Sequence, residues 1–212
     1  MLFAVALGLT AAAFVGDDAC IQWMRAHQHR SVAAWASKVS RYGDWPALMG
    51  SASLALVAAW MRRARVLVHL LLCMMLASTI AGAITDSVRL LTGRTRPGVR
   101  DVAPGWYGLW YGNTPLLRNN RFHSFPSGHT ASAFAFFGTI GWARRGRAWL
   151  FLGFAGIIAW SRLYLDAHHL SDVTVALIIG LFLSYVVWRR AGPPLERWLN
   201  VRGSAPGVRR SV

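Results

Sequence analysis

The stretch VLVHLLLCMMLASTIAGAI, residues 66–84, is the clearest indication of the fold class of this chain. It contains no Asp, Glu, Lys or Arg, and His69 is its only ionisable side chain of the usual charged types. About 20 apolar residues suffice to cross the hydrocarbon core of a bilayer. A backbone surrounded by lipid must satisfy its own hydrogen bonds, so a spanning run of this kind must be helical. The stretch therefore predicts a transmembrane helix.

Five further apolar segments share this character, and the composition agrees with them. Of the 212 residues, 55% are hydrophobic and 15% are charged, against about 25% charged in an average soluble domain. The sequence predicts an all-α, multi-pass membrane protein with six transmembrane helices, in a single domain over 1–195 followed by a disordered cytoplasmic tail over 196–212. The six segments lie at about 2–16, 46–61, 66–86, 130–143, 148–165 and 173–188. The first lacks a basic start, which favours an uncleaved helix over a signal peptide.

The connections between these segments predict the topology. The loops 62–65 and 144–147 are short and rich in Arg, and six alternating spans place both of them on the same face as the two termini. By the positive-inside rule this face is cytoplasmic. The longer connections then lie on the outer face. Among them, 17–45 has the pattern of an interfacial amphipathic helix, and 98–125 is expected to be an irregular loop with interfacial aromatic residues.

The net charge of +15, from 23 Lys+Arg and 8 Asp+Glu, raises the possibility of a nucleic-acid partner. We disfavour it, because the basic residues flank apolar runs and form no recognised binding motif. The two cysteines, Cys20 and Cys73, show no metal-binding spacing, and nothing in the sequence supports a disulfide. No metal and no cofactor is predicted.

A candidate nucleophile lies before the last apolar segment, in Ser161-Arg162-x5-His168-x3-Asp172. Residues four apart share one face of a helix, so Asp172 can hydrogen-bond His168. A carboxylate on one ring nitrogen fixes the tautomer and leaves the other nitrogen free to attack phosphorus. A pair that only caps the helix is the structural alternative. Arg162 is a candidate phosphate ligand, with snorkelling towards lipid headgroups as its alternative.

A second stretch, Pro126-Ser127-Gly128-His129, precedes the apolar segment 130–143. Ser127 is a good N-cap, and the start of a helix attracts anions. Gly128 allows the backbone to approach a phosphate closely. His129 then lies on the first turn, where it can protonate a leaving oxygen as general acid.

The third stretch, Arg89-x6-Arg96-Pro97, follows the apolar stretch 66–84. A guanidinium group can bind two oxygens of one phosphate through two parallel hydrogen bonds, and its positive charge stabilises the transition state. Arg94 and Arg100 are expected to be solvated or to contact headgroups. Six alternating helices bring all three stretches to one face of the membrane.

In order and spacing, the three stretches resemble the type 2 phosphatidic acid phosphatase family, which shares its active site with vanadium haloperoxidases and glucose-6-phosphatase. The resemblance implies a helical bundle and a metal-independent lipid phosphatase. It implies His168 as nucleophile, His129 as general acid and base, and Asp172 as the residue that orients His168. The implied phosphate ligands are Arg89, Arg96, Ser127, Gly128 and Arg162. Arg89 departs from the family pattern, which opens with Lys, and His169 lies outside the pattern, as a helix-start or headgroup contact.

We therefore expect an integral-membrane hydrolase that removes phosphate from a lipid through a phosphohistidine, at the outer face of a bacterial-type inner membrane. The substrate stays open among phosphatidic acid, phosphatidylglycerophosphate, undecaprenyl diphosphate and the lipid A phosphates. The oligomeric state stays open as well. Two other classes remain as alternatives: a vanadate-dependent haloperoxidase-like oxidoreductase, and a non-catalytic lipid-binding or transport protein of the same fold.

Overall fold

The computed structural model describes residues 1–144, 146 and 148–201 of the chain. Among these residues the regular structure is mainly helical, and it includes a two-stranded ribbon and a 3-10 turn at Asn120–Phe122. In chain order the elements are α1 (Leu2–Val15), α2 (Asp17–Ala26), α3 (Arg30–Tyr42), α4 (Trp45–Met61), α5 (Arg65–Thr92), β1 (Trp110–Tyr111), β2 (Thr114–Pro115), α6 (Gly128–Ala143), α7 (Ala148–Tyr164), α8 (Leu170–Arg190) and α9 (Gly192–Trp198).

Each of the six predicted apolar segments coincides with a helix, namely α1, α4, α5, α6, α7 and α8. Two of them, α5 and α8, are long and apolar enough to cross a membrane, and α1 with α2 makes a third candidate that bends by 56°. The apolar helices α4 and α7 have 17 residues each. At about 1.5 Å per residue they reach about 26 Å, against about 30 Å of hydrocarbon. The structure thus supports two to three spans by length and composition.

Helix α6 forms the centre of the bundle and packs against α5, α7 and α8. Its buried face consists largely of small residues, such as Ala131 and Ala135. Small side chains let helix backbones approach closely, as is typical of helix pairs in membranes. Gly180 of α8 shows how close the approach is, since a Cβ atom there would lie 2.6 Å from the Ala131 carbonyl oxygen and 2.8 Å from the Phe134 Cβ.

The helices α1, α4, α5, α6, α7 and α8 alternate in direction along the bundle. As a result, the C-terminal ends of α5 and α7 and the N-terminal ends of α6 and α8 lie at one end of the molecule. These four helix ends carry the three predicted motifs. The fold therefore places the motifs at a common end, as the alternation of apolar segments predicts.

Two connections at this end differ from a simple loop. The predicted interfacial segment 17–45 forms two helices, α2 and α3, and α3 packs on α7. The predicted irregular segment 98–125 is mostly without regular structure, apart from the β1–β2 ribbon and the 3-10 turn. Within it, the rings of Tyr107 and Tyr111 pack against Phe122, which is buried.

The opposite end holds α9, which follows α8 after a single residue, Ala191. The predicted tail, 196–212, begins inside this helix, and Leu199 just beyond it is buried in an apolar cluster with Val68 and Leu71. Residues 202–212 of the predicted tail lie outside the described residues.

Candidate active site

The tautomer of His168 is set by a backbone carbonyl. The ring is 1% exposed, and its Nδ1 lies 2.7 Å from the carbonyl oxygen of Ser124. Because a carbonyl oxygen accepts hydrogen bonds, Nδ1 carries the hydrogen and donates it. Nε2 is then the nitrogen with the free lone pair, and it is buried without a hydrogen-bond partner. This arrangement leaves one ring nitrogen available as a nucleophile.

The Asp172 carboxylate lies near the same ring nitrogen, Nδ1, but is too far from it for a hydrogen bond. Its Oδ2 is 3.6 Å from the His168 Nδ1, close enough for a favourable charge interaction with a protonated ring. The same oxygen accepts hydrogen bonds from the Ser124 hydroxyl and from the His169 backbone N–H, at 2.5 and 2.8 Å. Ser124 thus supports His168 with its carbonyl group and Asp172 with its hydroxyl. The fold thus brings His168 and Asp172 together, as predicted. The Nδ1 of His168, however, donates its hydrogen bond to the Ser124 carbonyl and not to Asp172.

His169 lies at the start of helix α8, which is one of the two positions that the sequence left open for it. It occupies the N-cap position, and it forms a reciprocal capping box with Asp172. Its ring Nδ1 lies 3.1 Å from the Asp172 Oδ2. The Asp172 carboxylate therefore caps the start of α8 and also lies beside the His168 ring.

The expectation of a solvated Arg94 is wrong. Arg94 is 8% exposed, and it donates to Asp172 Oδ1 at 2.6 Å and to Asp17 Oδ2 at 2.7 Å. Its guanidinium also lies over the Trp106 ring, 4.7 Å from the centroid. A buried guanidinium needs carboxylate partners, and the bend between α1 and α2 brings Asp17 to it. Asp17 additionally accepts hydrogen bonds from the backbone and hydroxyl of Ser171.

The second motif forms a tight turn around Arg89. Ser127 occupies the N-cap position of α6 and is buried, but its hydroxyl accepts a hydrogen bond from Thr130 and does not cap the backbone. The first-turn N–H groups of α6 are therefore not used by that hydroxyl. A Cβ atom on Gly128 would lie 3.2 Å from both terminal nitrogens of Arg89. Glycine at this position lets the guanidinium approach the helix start.

Three predicted site residues hold buried polar atoms that lack a partner. They are Arg96 Nε, Arg162 Nε and His168 Nε2, and in the described part of the chain only Ser78 Oγ shares this state. Buried polar groups in folded proteins are nearly always hydrogen-bonded, so each exception needs an explanation. Two cationic donors and one lone pair match the needs of a bound phosphate group under nucleophilic attack.

The remaining contacts of the three site arginines leave other donors free. Arg162 donates from Nη1 to the Ser40 hydroxyl at 2.5 Å, and Arg96 donates from Nη2 to the His123 carbonyl at the long distance of 3.4 Å. Arg89 forms an ion pair with Asp86 one turn earlier on α5. The cluster is mutually close, since the charges of Arg89, Arg96 and Arg162 all act on the His129 ring.

His129 lies at the border of this cluster and is partly exposed. Its Nε2 is 3.7 Å from Oδ1 of Asp44. Asp44 is the N-cap of α4, where its Oδ1 accepts a hydrogen bond from the Trp45 backbone N–H. A carboxylate therefore faces the candidate general acid from a neighbouring helix.

Burial is the main reason that the pKa of the His168 imidazole falls from 6.5 to about 4. The Asp172 carboxylate opposes this shift, and the charges of Arg162 and Arg96 add to it. A lowered pKa keeps the ring neutral at neutral pH. Neutral imidazole is the nucleophilic form.

This shift predicts a loss of stability in acid. Between about pH 6.5 and 4 the unfolded chain binds a proton on His168 that the folded chain does not, so the free energy of unfolding falls as the pH is lowered through this window. The total contribution is about 3 kcal/mol, and it stops changing below about pH 4.

The measurement is the melting temperature in detergent at pH 7.5 and at pH 5. His168→Gln is expected to lose less of its melting temperature than the wild type, while His27→Gln, at an exposed ring, should behave like the wild type. An equal loss in all three proteins would contradict the assignment.

Four residues of this region could not be identified as parts of the site from the sequence alone: Ser124, Arg94, Asp17 and Asp44. Arg94 lies two residues before Arg96, and Ser124 three residues before Ser127, so proximity to the motifs is the one hint available. Asp17 and Asp44 follow helices α1 and α3 at the same end of the bundle. The chain has only 8 Asp+Glu, so few carboxylates are available to pair with the site arginines. The acidic residues near helix ends at this face are therefore the first candidates for such pairing.

Comparison with known proteins identifies the fold and family. The structure resembles a transmembrane PAP2-type phosphatidylglycerolphosphate phosphatase from Bacillus subtilis, with a TM-score of 0.68 and 18% identity, over 91% of this chain and 94% of that one. It also resembles LpxE from Aquifex aeolicus, with a TM-score of 0.56 and 19% identity, over 80% of this chain and 92% of that one.

At the level of sequence, the chain is 33% identical over 90 residues to a probable diacylglycerol pyrophosphate phosphatase 1 from Schizosaccharomyces pombe. The match covers 35% of this chain and 32% of the length of that relative. The family model of the PAP2 superfamily matches residues 66–193, which include every residue of the three motifs. The chain therefore belongs to the PAP2 superfamily, and its all-helical fold is that of PAP2-type phosphatases.

Proposed function

We propose that this protein is an integral-membrane lipid phosphatase that works through a phosphohistidine at His168. The observation that carries the proposal is the group of three buried, unpartnered atoms, Arg96 Nε, Arg162 Nε and His168 Nε2. They lie in a cluster with His129 and Arg89, whose charges interact. A phosphate group in this cluster satisfies both arginines and presents its phosphorus to the free lone pair of His168.

In the first step, His168 Nε2 attacks phosphorus and a P–N bond forms while the bond to the leaving oxygen breaks. The leaving oxygen keeps the bonding electron pair and takes a proton from His129, acting as general acid. The imidazole becomes positively charged, and the Asp172 carboxylate, 3.6 Å from Nδ1, stabilises that charge. The hydrogen bond from Nδ1 to Ser124 holds the ring in place throughout.

In the second step, water attacks the phosphorus of phospho-His168, and His129 accepts a proton from that water. The P–N bond breaks, inorganic phosphate leaves, and His168 returns to its neutral form. The guanidiniums of Arg89, Arg96 and Arg162 stabilise the charge on the equatorial oxygens in both steps. The backbone N–H groups around Ser127 and Gly128 at the start of α6 supply further donors. Because these groups provide the positive charge, the mechanism needs no metal.

The proposal includes the membrane arrangement. Six helices cross the bilayer as a single domain: α1, α4, α5, α6, α7 and α8. The shorter ones span it because the bilayer thins around them or because flanking residues extend the span. The Arg-rich turn 62–65 and Arg144, at the end opposite the site, are cytoplasmic in this proposal, in accord with the positive-inside rule. The site then faces the outer side of a bacterial-type inner membrane. Large exposed apolar side chains along α1, α4 and α7, such as Phe3, Leu54 and Phe154, suit a lipid environment.

The test is release of inorganic phosphate by the purified protein in detergent, in the presence of EDTA. The panel contains phosphatidic acid, phosphatidylglycerophosphate, undecaprenyl diphosphate and lipid A. Release from at least one lipid, unaffected by EDTA, is the expected result. Release that requires added metal would contradict the mechanism, and no release from any lipid would contradict the proposed function and favour a binding protein of the same fold.

A further inference from the structure

A cavity of about 470 Å³ opens from the site between α4, α5 and α6. Its lining includes the buried Gly128 and the half-buried His129 and Arg89 of the site, together with the exposed Trp45 of α4 and Thr79 of α5. We call this cavity the lateral groove. It joins the phosphate cluster to the face of the bundle between α4 and α5.

The lateral groove lies on the leaving-group side of the site, an assignment that rests on the proposed function. Attack from His168 places the leaving oxygen on the opposite side of phosphorus, next to His129, which protonates it. His129 lines the groove, whereas His168 is buried at 1% exposure and is not part of the groove lining. The part of the substrate beyond the leaving oxygen therefore continues into the groove.

The charges of the groove differ from those of the phosphate cluster. Two carboxylates, Asp44 and Asp86, line the groove, and Arg89 is its one guanidinium. Asp86 is ion-paired with Arg89, while Asp44 faces the His129 Nε2 at 3.7 Å. Asp44 stands close to the cluster itself, since its charge acts on both Arg89 and Arg162.

Arg96, Arg162 and His168 do not line the groove, and the buried Arg96 Nε, Arg162 Nε and His168 Nε2 lack partners. In the proposed mechanism these atoms bind the phosphoryl group that is transferred. The site thus has a cationic part for the group that is transferred and an acidic part for the group that leaves.

We propose that Asp44 and Asp86 make this site selective for phosphomonoesters of lipid alcohols and against lipid diphosphates. The leaving group of a phosphomonoester is an uncharged alcohol, which two carboxylates tolerate. The leaving group of a diphosphate is itself a phosphate, and its negative charge would lie beside Asp44. The Asp44 and Asp86 side chains are 55% and 59% exposed, so water weakens their repulsion of a second phosphate but does not remove it. Repulsion of the wrong substrate is a common source of specificity.

The test compares two lipids with the same diacylglycerol part, phosphatidic acid and diacylglycerol pyrophosphate. Initial rates of phosphate release give kcat/KM for each, before the phosphatidic acid formed from the diphosphate accumulates. The wild type is expected to prefer phosphatidic acid. Asp44→Asn is expected to raise the ratio of diphosphate to monoester kcat/KM by about tenfold, because it removes one repulsive charge. Asp86→Asn is expected to raise it by about threefold, since Asp86 is already paired with Arg89.

Asp44→Asn is expected to keep the fold. Asn is as good an N-cap as Asp, so Asp44→Asn preserves the start of α4. Asp18→Asn, at an exposed position on α2 away from the groove, removes the same charge and is expected to leave the ratio unchanged. A preference of the wild type for the diphosphate, or an unchanged ratio in both groove variants, would overturn the inference while leaving a lipid phosphatase. No phosphate release from either lipid would contradict the proposed function as well.

Discussion

Replacing His168 by glutamine is expected to lower the rate of phosphate release by at least about 10⁴-fold. The reason is that Nε2 of His168 is the nucleophile, and the glutamine amide cannot form the phosphoenzyme. Glutamine was chosen because its amide can still donate to the Ser124 carbonyl, which accepts from His168 Nδ1 at 2.7 Å. The buried carbonyl then keeps a partner, and the fold is preserved.

The measurement is kcat on phosphatidic acid, together with size-exclusion behaviour and melting temperature. His27→Gln, at an exposed ring on α2's C-terminal side, is the matched control and should retain full activity. A single-turnover reaction with radiolabelled lipid, quenched in alkali, should label the wild-type protein and leave His168→Gln unlabelled. Activity of a well-folded His168→Gln within tenfold of the wild type would exclude the mechanism.

Replacing Arg94 by methionine is expected to lower the free energy of unfolding by about 3–5 kcal/mol. The substitution leaves two buried carboxylates, Asp17 and Asp172, without the guanidinium that pairs with both. Their side chains are 8% and 0% exposed, so water cannot replace the lost partner. Methionine retains much of the packing volume, which isolates the loss of charge and hydrogen bonds.

The measurement is thermal unfolding in detergent, where a loss of this size corresponds to about 6–20 °C for a chain of this length. Arg100→Met, at an exposed position six residues later, is the control and should unfold near the wild-type temperature. Arg94→Met combined with Asp17→Asn should cost less than the sum of the two single changes, because the double variant removes one of the unpaired charges. Equal melting temperatures for Arg94→Met and Arg100→Met would contradict the role of Arg94.

The contrast between these two residues shows where reading the sequence succeeds. His168 is recognisable because the chemistry resides in a local pattern, with Arg162 six residues before it and Asp172 four residues after it. Arg94 has no such pattern. Its partners Asp17 and Asp172 are 77 and 78 residues away, in different helices, and only the packing of α1, α2 and α8 around the loop after α5 brings them together.

The hydrogen-bond partner of His168 makes the same point at atomic detail. The spacing of four residues predicts a bond to Asp172, and the two groups do lie near each other, at 3.6 Å. The actual acceptor is the carbonyl of Ser124, 44 residues earlier in the chain. A backbone carbonyl leaves no trace in the sequence, because every residue has one.

The helical character of the chain, the positions of its six apolar helices and the meeting of the three motifs at one end can all be predicted from the amino-acid sequence alone. These properties depend on runs of apolar residues and on the alternation of helix direction, which are local or follow from counting. Three further features could be seen only in the folded chain. They are the free ring nitrogen of His168, the burial of Arg94 between Asp17 and Asp172, and the position of Asp44 and Asp86 in the lining of the lateral groove. Those features depend on the packing angles and close approach of helices distant in the chain, which no local pattern encodes.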